Sequence, residues 1–226
     1  MSSLYENKFV IIKEAISKET ALILFNYLQM KRHCWDTMTN SNFLGNRGDM
    51  GGFDPQVPDT WSCYSDIAME TLLEMLQPKI EREAGVKLLP MYTYSRLYKK
   101  GDILKKHKDR PSCEISTTLN LGGDPWSIFI EPDIEVGQIV EGWYKEGGTS
   151  GIEIKLNPGD MLLYLGAECE HWRNAFEGSI CGQVFLHYAN AETEYAKEYR
   201  YDARPHLGLP MEFMDKPVSR KGYLEE

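Results

Sequence analysis

The spacing of apolar residues changes character at Gly85. Before it, "SKETALILFNYLQM" (17–30) and "SDIAMETLLEMLQPKIEREAG" (65–85) carry apolar residues at helical intervals and predict two helices. Ser17 is placed as the N-cap of the first, with Glu19 and Thr20 in its opening turn. Gly85 suits the C-cap of the second, and Pro78 marks a point where that helix would kink. "KFVIIKEAI" (8–16) reads as a strand ahead of both. Residues 36–60 carry Gly, Asn, Asp and Pro with little period, and are expected to form a long loop able to act as a lid.

After Gly85 the pattern is that of strands: 86–98, 113–121, 126–131, 152–156, 161–165 and 180–189. Turn signals such as "KKGD", "LGGDP", "NPGD" and "FEG" separate them. Closely spaced strands with such punctuation predict a sandwich or barrel. The expected class is mainly β with packed helices (α+β). One domain is expected, with an N-terminal strand, helices and loop (1–85), a β core (86–190) and a polar tail (191–226) that wraps the surface.

Composition changes this picture little. The chain has 226 residues, 42% hydrophobic and 12% aromatic, enough for an ordinary globular core. A net charge of −9 argues against a nucleic-acid partner or an anionic membrane surface. The five cysteines are odd in number and contain no CxxC, which argues against a disulfide framework or a zinc ribbon. No signal-peptide pattern and no membrane-length apolar run is present, so a cytoplasmic protein is expected.

The candidate chemistry lies in "ILKKHKDRPSCEIS" (103–116). His107 and Asp109 are two apart, and on an extended segment both side chains face one way. Alone, such a pair fits a solvated turn as well as a metal site. A third ligand comes from His171, after the apolar run "MLLYL". Two histidines and one carboxylate, with positions left open, are the non-haem Fe(II) arrangement. His171 also reads as a structural histidine at a strand edge. His187 is a rival ligand. His33, at the expected helix end, and His206, in the tail, fit less well.

The run "YKKGDILKKHKD" (98–109) resembles the Y-x-x-G-x-x-x-x-x-H-x-D segment of prolyl 4-hydroxylase-like 2-oxoglutarate/Fe(II) dioxygenases. "GDMLLYLGAECEHWR" resembles the family's strand leading to its distal histidine. The likeness covers about residues 86–190. It implies a double-stranded β-helix (jelly-roll) core with the N-terminal helices against one face. It implies Fe(II), 2-oxoglutarate and O₂, with ascorbate as an accompanying reductant. The implied reaction is hydroxylation of a C–H bond, of a prolyl or other peptidyl residue, with succinate and CO₂ released. A free amino acid or another small molecule is a further substrate class, and the oligomeric state stays open. Metal ligands would be His107, Asp109 and His171, and Tyr98 would face the cosubstrate.

Two departures from the family pattern stand out. Its members carry Arg or Lys about ten residues after the distal histidine, to hold the far carboxylate of 2-oxoglutarate; here 174–196 contains neither. Gln183 stands nearest that position and cannot supply the charge. Arg173, i+2 from His171, and Arg96, sharing a face with Tyr92, Tyr94 and Tyr98, are the replacements. Each also reads as half of a structural ion pair. The second departure is Leu104, where members often have tyrosine three residues before the metal histidine.

Ser116 falls near a position lining the cosubstrate, although a solvent-facing strand residue is the plainer reading. Arg110 reads as a residue at the pocket mouth or an exposed basic turn, and Trp126 and Trp172 as substrate walls or core. Cys113 and Cys181 are expected to be buried. The missing late cation keeps open a different class: a cupin-like metal-binding or interaction module that does not turn over 2-oxoglutarate.

Overall fold

A computed structural model describes residues 3–43, 48–140 and 143–215. A short helix α1 (Ser3–Asn7) and strand β1 (Phe9–Ile12) precede the long helix α2 (Lys18–Asn40). Ser17 caps α2 by accepting the Thr20 N–H at 3.1 Å. The strand is shorter than expected, and the helix runs past Met30 to Asn40. Its last turns lack a sustained apolar stripe; Trp35 packs against the core, and Arg32 and Asp36 form an i,i+4 pair at 3.6 Å. His33 therefore lies inside the helix, and the expected loop loses its first residues to it. Part of that loop, 44–47, lies outside the described residues.

Helix α3 (Ile67–Ala84) opens on Asp66, whose carboxylate accepts the Ala68 and Met69 N–H groups. It closes on Gly85 in the left-handed conformation, φ 73°. Pro78 lies within the helix and does not end it.

The remaining strands are β2 (Gly52–Phe53), β3 (Trp61–Tyr64), β4 (Leu88–Lys99), β5 (Leu104–His107), β6 (Ile115–Gly123) and β7 (Ile128–Glu131), followed by β8 (Gln138–Val140), β9 (Trp143–Lys145), β10 (Ile152–Ile154), β11 (Met161–Tyr164), β12 (Glu170–Arg173) and β13 (Ile180–Asn190). One antiparallel sheet has the order β1-β11-β6-β13-β4-β3-β2; a smaller one runs β10-β7-β12-β5. β8 and β9 form a separate hairpin that the hydrophobic pattern did not predict. The two larger sheets enclose a cavity, giving the jelly-roll expected from the sequence.

Alternation along the strands makes this architecture. On β13, Val184, Leu186 and Tyr188 join Leu28, Leu73 and Ile80 in the core between sheet and helices. The intervening Phe185 and His187 line the cavity. Each fully buried aliphatic side chain in that core contributes roughly 1.5–3 kcal/mol. Gly182 permits the close approach of α2, since a Cβ there would lie 2.5 Å from the Phe25 ring. No described helix is long and apolar enough to cross a membrane.

The tail does more than wrap the surface. After α4 (Glu194–Glu198), α5 (Arg200–Ala203) contains three successive left-handed residues, Tyr201, Asp202 and Ala203, at φ 56°, 58° and 59°. That turn buries Asp202 completely, while Arg204 pairs with Glu70 of α3 at 2.8 Å. Met211 and Met214 then reach the cavity. Residues 216–226 lie outside the described residues.

Candidate metal centre

His107 ends β5 and His171 lies in β12, and the two are register partners across that ladder. Their rings are 4.3 Å apart between centroids. Nδ1 of His107 lies 2.8 Å from the Lys105 carbonyl, and Nδ1 of His171 lies 2.9 Å from the Cys169 carbonyl. A carbonyl only accepts, so each Nδ1 carries the proton and each Nε2 presents a lone pair. Asp109 follows β5 in a turn and faces both rings. Its Oδ1 is 3.6 Å from Nε2 of His107 and 3.6 Å from Nε2 of His171. The three ligand atoms all lie within 4.8 Å of one another.

Charge suits a cation here. Burial pushes the Asp109 carboxyl up, but His171 and His107 outweigh it and hold the group below the usual carboxylate range. Burial, aided by His171, pushes His107 down to about 4, so it is neutral at neutral pH. An ionised carboxylate and a neutral His107 imidazole are in the states that metal ligation requires of such groups.

The triad opens on a cavity of about 670 Å³. Tyr92, Tyr94, Arg96 and Tyr98 share its β4 wall, and Tyr164, Leu104 and Ile128 add to it. Asp54 and Gln56, from the loop after β2, also line it. Asp54 accepts from Arg96 and from Tyr94, and Ser62 donates to it at 3.0 Å. Gln56 accepts from Arg96 at 3.1 Å and sits 3.2 Å from His107 Nε2. Arg96 is thus already partnered by a carboxylate. The segment "FDPQ" carried no site signal beyond its turn residues.

Arg173 differs. It is 1% exposed, donates to the Trp126 carbonyl at 2.6 Å and to Thr118 Oγ1 at 3.3 Å, and lies over the Trp126 ring. Among the described residues no carboxylate pairs with it, and burial pushes its guanidinium below the ordinary value. Its Nε and the hydroxyl of the neighbouring Tyr98 are buried without hydrogen-bond partners. A buried cation without a counter-ion is costly, and a ligand carboxylate would satisfy both orphans. Gln183 stands behind this group, accepting from Thr118 at 3.1 Å.

Other sequence expectations change with the fold. Trp172 does not line the cavity: alternation on β12 turns it to the face opposite His171 and Arg173, where it stacks on Phe129 at 5.5 Å. Ser116 is not solvent-facing; it is fully buried and bonded to Asp109 at 2.8 Å. Arg110 is not an exposed turn; Asp202 holds it with two bonds of 2.7 Å, against the face of Tyr92. Asp202, in the polar tail, had no sequence signal. Cys113 and Cys181 are buried.

No family model matches the sequence, and no curated protein matches it. Solved structures do match its fold. A Pseudomonas putida prolyl-4-hydroxylase is 12% identical with a TM-score of 0.55, covering 83% of this chain and 96% of its own. HygX from Streptomyces hygroscopicus, with nickel and 2-oxoglutarate bound, is 13% identical with a TM-score of 0.58, over 84% of this chain and 85% of its own. The α-ketoglutarate-dependent carbocyclase SnoK from nogalamycin biosynthesis is 11% identical with a TM-score of 0.57, over 92% and 90%. These likenesses establish the prolyl 4-hydroxylase-like 2-oxoglutarate/Fe(II) oxygenase fold.

Proposed function

We propose that this single-domain chain is an Fe(II)- and 2-oxoglutarate-dependent oxygenase that hydroxylates a substrate C–H bond. The observation that carries the reading is the nearness of two features: a His–Asp–His set whose ligand atoms lie within 4.8 Å of one another, and, two residues along β12 from His171, a buried guanidinium that no carboxylate pairs with among the described residues. When bound, iron and 2-oxoglutarate supply O₂ activation, with succinate and CO₂ as the cosubstrate's products.

The chain's own part is placement. His107, Asp109 and His171 hold the metal, and the carbonyls of Lys105 and Cys169 keep both imidazoles in the binding tautomer. Arg173 and Tyr98 take the far carboxylate of the cosubstrate, while Thr118 and Gln183 hold Arg173 in position. This arrangement replaces the cation missing from 174–196. Arg96 has a different task, holding Asp54 and Gln56 of the loop against the cavity.

For the substrate, the first reading is a prolyl or other residue within a peptide. A groove of about 550 Å³ meets the cavity at Pro55, Gln56 and His107, which gives an extended chain a path to the metal. A compact, uncharged small molecule is the second reading. Arg96 and Arg110 are both carboxylate-paired, and Tyr64, Tyr92, Met211 and Met214 make the remaining wall largely apolar.

The test is Fe(II)-dependent conversion of 2-oxoglutarate to succinate, its rate compared across peptide and small-molecule additions. Turnover lost on His107→Ala and on Asp109→Ala supports the reading. Metal binding without turnover under any condition would favour the cupin-like binding module.

A further inference from the structure

We propose that Ser116 and His187 are positioning residues that hold Asp109 as a one-oxygen metal ligand; this rests on the metal site of the proposed function and deepens it. The two oxygens of Asp109 have separate surroundings. Oδ1 faces the two histidine nitrogens, 3.6 Å from each. Oδ2 accepts from Ser116 Oγ at 2.8 Å.

The hydroxyl has three neighbours and one proton. Besides Asp109, it lies 3.0 Å from the Cys113 carbonyl and 2.9 Å from His187 Nδ1. The ionised carboxylate is the strongest and nearest acceptor, so the proton goes there. His187 Nδ1 must then carry its own proton and donate to Oγ. The chain of bonds runs His187 Nδ1–H to Ser116 Oγ–H to Asp109 Oδ2.

The placement of these groups gives the chain its purpose. Ser116 and His187 are register partners on β6 and β13, central strands of the larger sheet. Asp109 lies in a turn after β5, an edge strand of the smaller sheet. The relay therefore ties a turn residue to two central strands of the larger sheet. Gly166 closes the other side: its carbonyl accepts the Asp109 N–H at 2.8 Å, and a Cβ on it would lie 2.5 Å from both Asp109 Oδ2 and Ser116 Oγ.

A free carboxylate can bind a metal through one oxygen or two. Engaging Oδ2 leaves only Oδ1, so two histidines and one oxygen leave positions open for cosubstrate and oxygen. Asp109, Cys113 and His187 also have ligand atoms within 4.8 Å of one another, but these are already partnered: Cys113 Sγ lies 3.0 Å from the Tyr92 hydroxyl, and His187 is bonded to Ser116. The relay accounts for this cluster without a second cation.

The test is titration of the metal-free full chain with Co(II), read by binding affinity and by the metal's visible absorption spectrum. The wild type should bind one ion. Ser116→Ala should bind at least about 10-fold more weakly, with an altered spectrum, as loss of a carboxylate's outer partner does. His187→Ala should move both readouts the same way. His187→Asn, whose amide nitrogen can take the place of Nδ1, should restore most of the affinity and the wild-type spectrum.

Unchanged affinity and spectrum in folded Ser116→Ala would overturn the relay while leaving the metal site standing. If Ser116→Ala does not fold, equal behaviour of His187→Ala and His187→Asn overturns it instead. A second ion per chain, lost on Cys113→Ser, would also overturn it. A wild type that takes up no Co(II) removes the metal site, and the relay with it.

Discussion

Arg96 forms an ion pair with Asp54, whereas Arg173, equally buried, has no carboxylate partner among the described residues. The two guanidiniums should therefore respond differently to loss of charge. Arg173→Gln is expected to raise the 2-oxoglutarate requirement about 10- to 100-fold, the worth of charge-assisted hydrogen bonds of roughly 1.5–3 kcal/mol. Arg96→Gln should chiefly lower the melting temperature, because Asp54 is left without its cation. Succinate formation against 2-oxoglutarate concentration checks this. An unchanged requirement in Arg173→Gln would reject the assignment.

The Arg110–Asp202 pair anchors the tail at the cavity, with Asp202 fully buried. Breaking it by Asp202→Asn is expected to cost about 3–5 kcal/mol, since a charged partner is left behind. The pair also sets a pH dependence. Burial pushes the Asp202 carboxyl up, but hydrogen bonding and charge from Arg110 outweigh it and hold the group below its ordinary value. A depressed folded-state pKa stabilises above the unfolded value of about 3.9 and is lost as pH falls through the folded value. Denaturant unfolding across pH should show wild type and Asp202→Asn converging below about pH 4. A constant gap into strong acid would contradict the sign.

Gly166 stands where a side chain would strike Asp109. A Cβ there would lie 2.5 Å from Oδ2 and 2.6 Å from the Cys113 carbonyl. Gly166→Ala should weaken metal binding by about 10- to 100-fold, as disturbed outer contacts of a metal ligand do. Equilibrium metal titration of the folded variant measures this, and wild-type affinity would show that the carboxylate has room to spare.

Trp172 marks the outer face of β12, between Phe129 and the Lys106 ammonium, which sits 4.2 Å from its ring. Trp172→Phe is expected to reduce stability by roughly 1–3 kcal/mol and to leave kcat/KM unchanged. A changed kcat/KM at unchanged metal affinity would place this side chain in the substrate's path after all.

How much of this was legible in the sequence follows from what makes a residue visible. The helices and long strands were, because one face of each meets the apolar core. β5 was not marked as a strand, because "LKKH" holds one apolar residue, Leu104, and an irregular ladder to β12 breaks any alternation. The end of α2 was hidden because beyond Met30 its sequence carries no sustained apolar stripe, although Trp35 still packs against the core. His107, Asp109 and His171 could be singled out as a ligand set by residue type and spacing. Asp54, Gln56 and Asp202 could not, since only the folded chain brings them to the cavity. Ser116 was noticed but misplaced, because strand position alone did not show that Asp109 would turn back onto it.

The most direct test is a crystal structure of the protein with Fe(II) and 2-oxoglutarate introduced anaerobically. The metal should lie on His107 Nε2, Asp109 Oδ1 and His171 Nε2, with the cosubstrate's far carboxylate against Arg173 and Tyr98. A metal-free triad at saturating Fe(II), or a cosubstrate carboxylate bound by Arg96 with Asp54 displaced, would contradict the account.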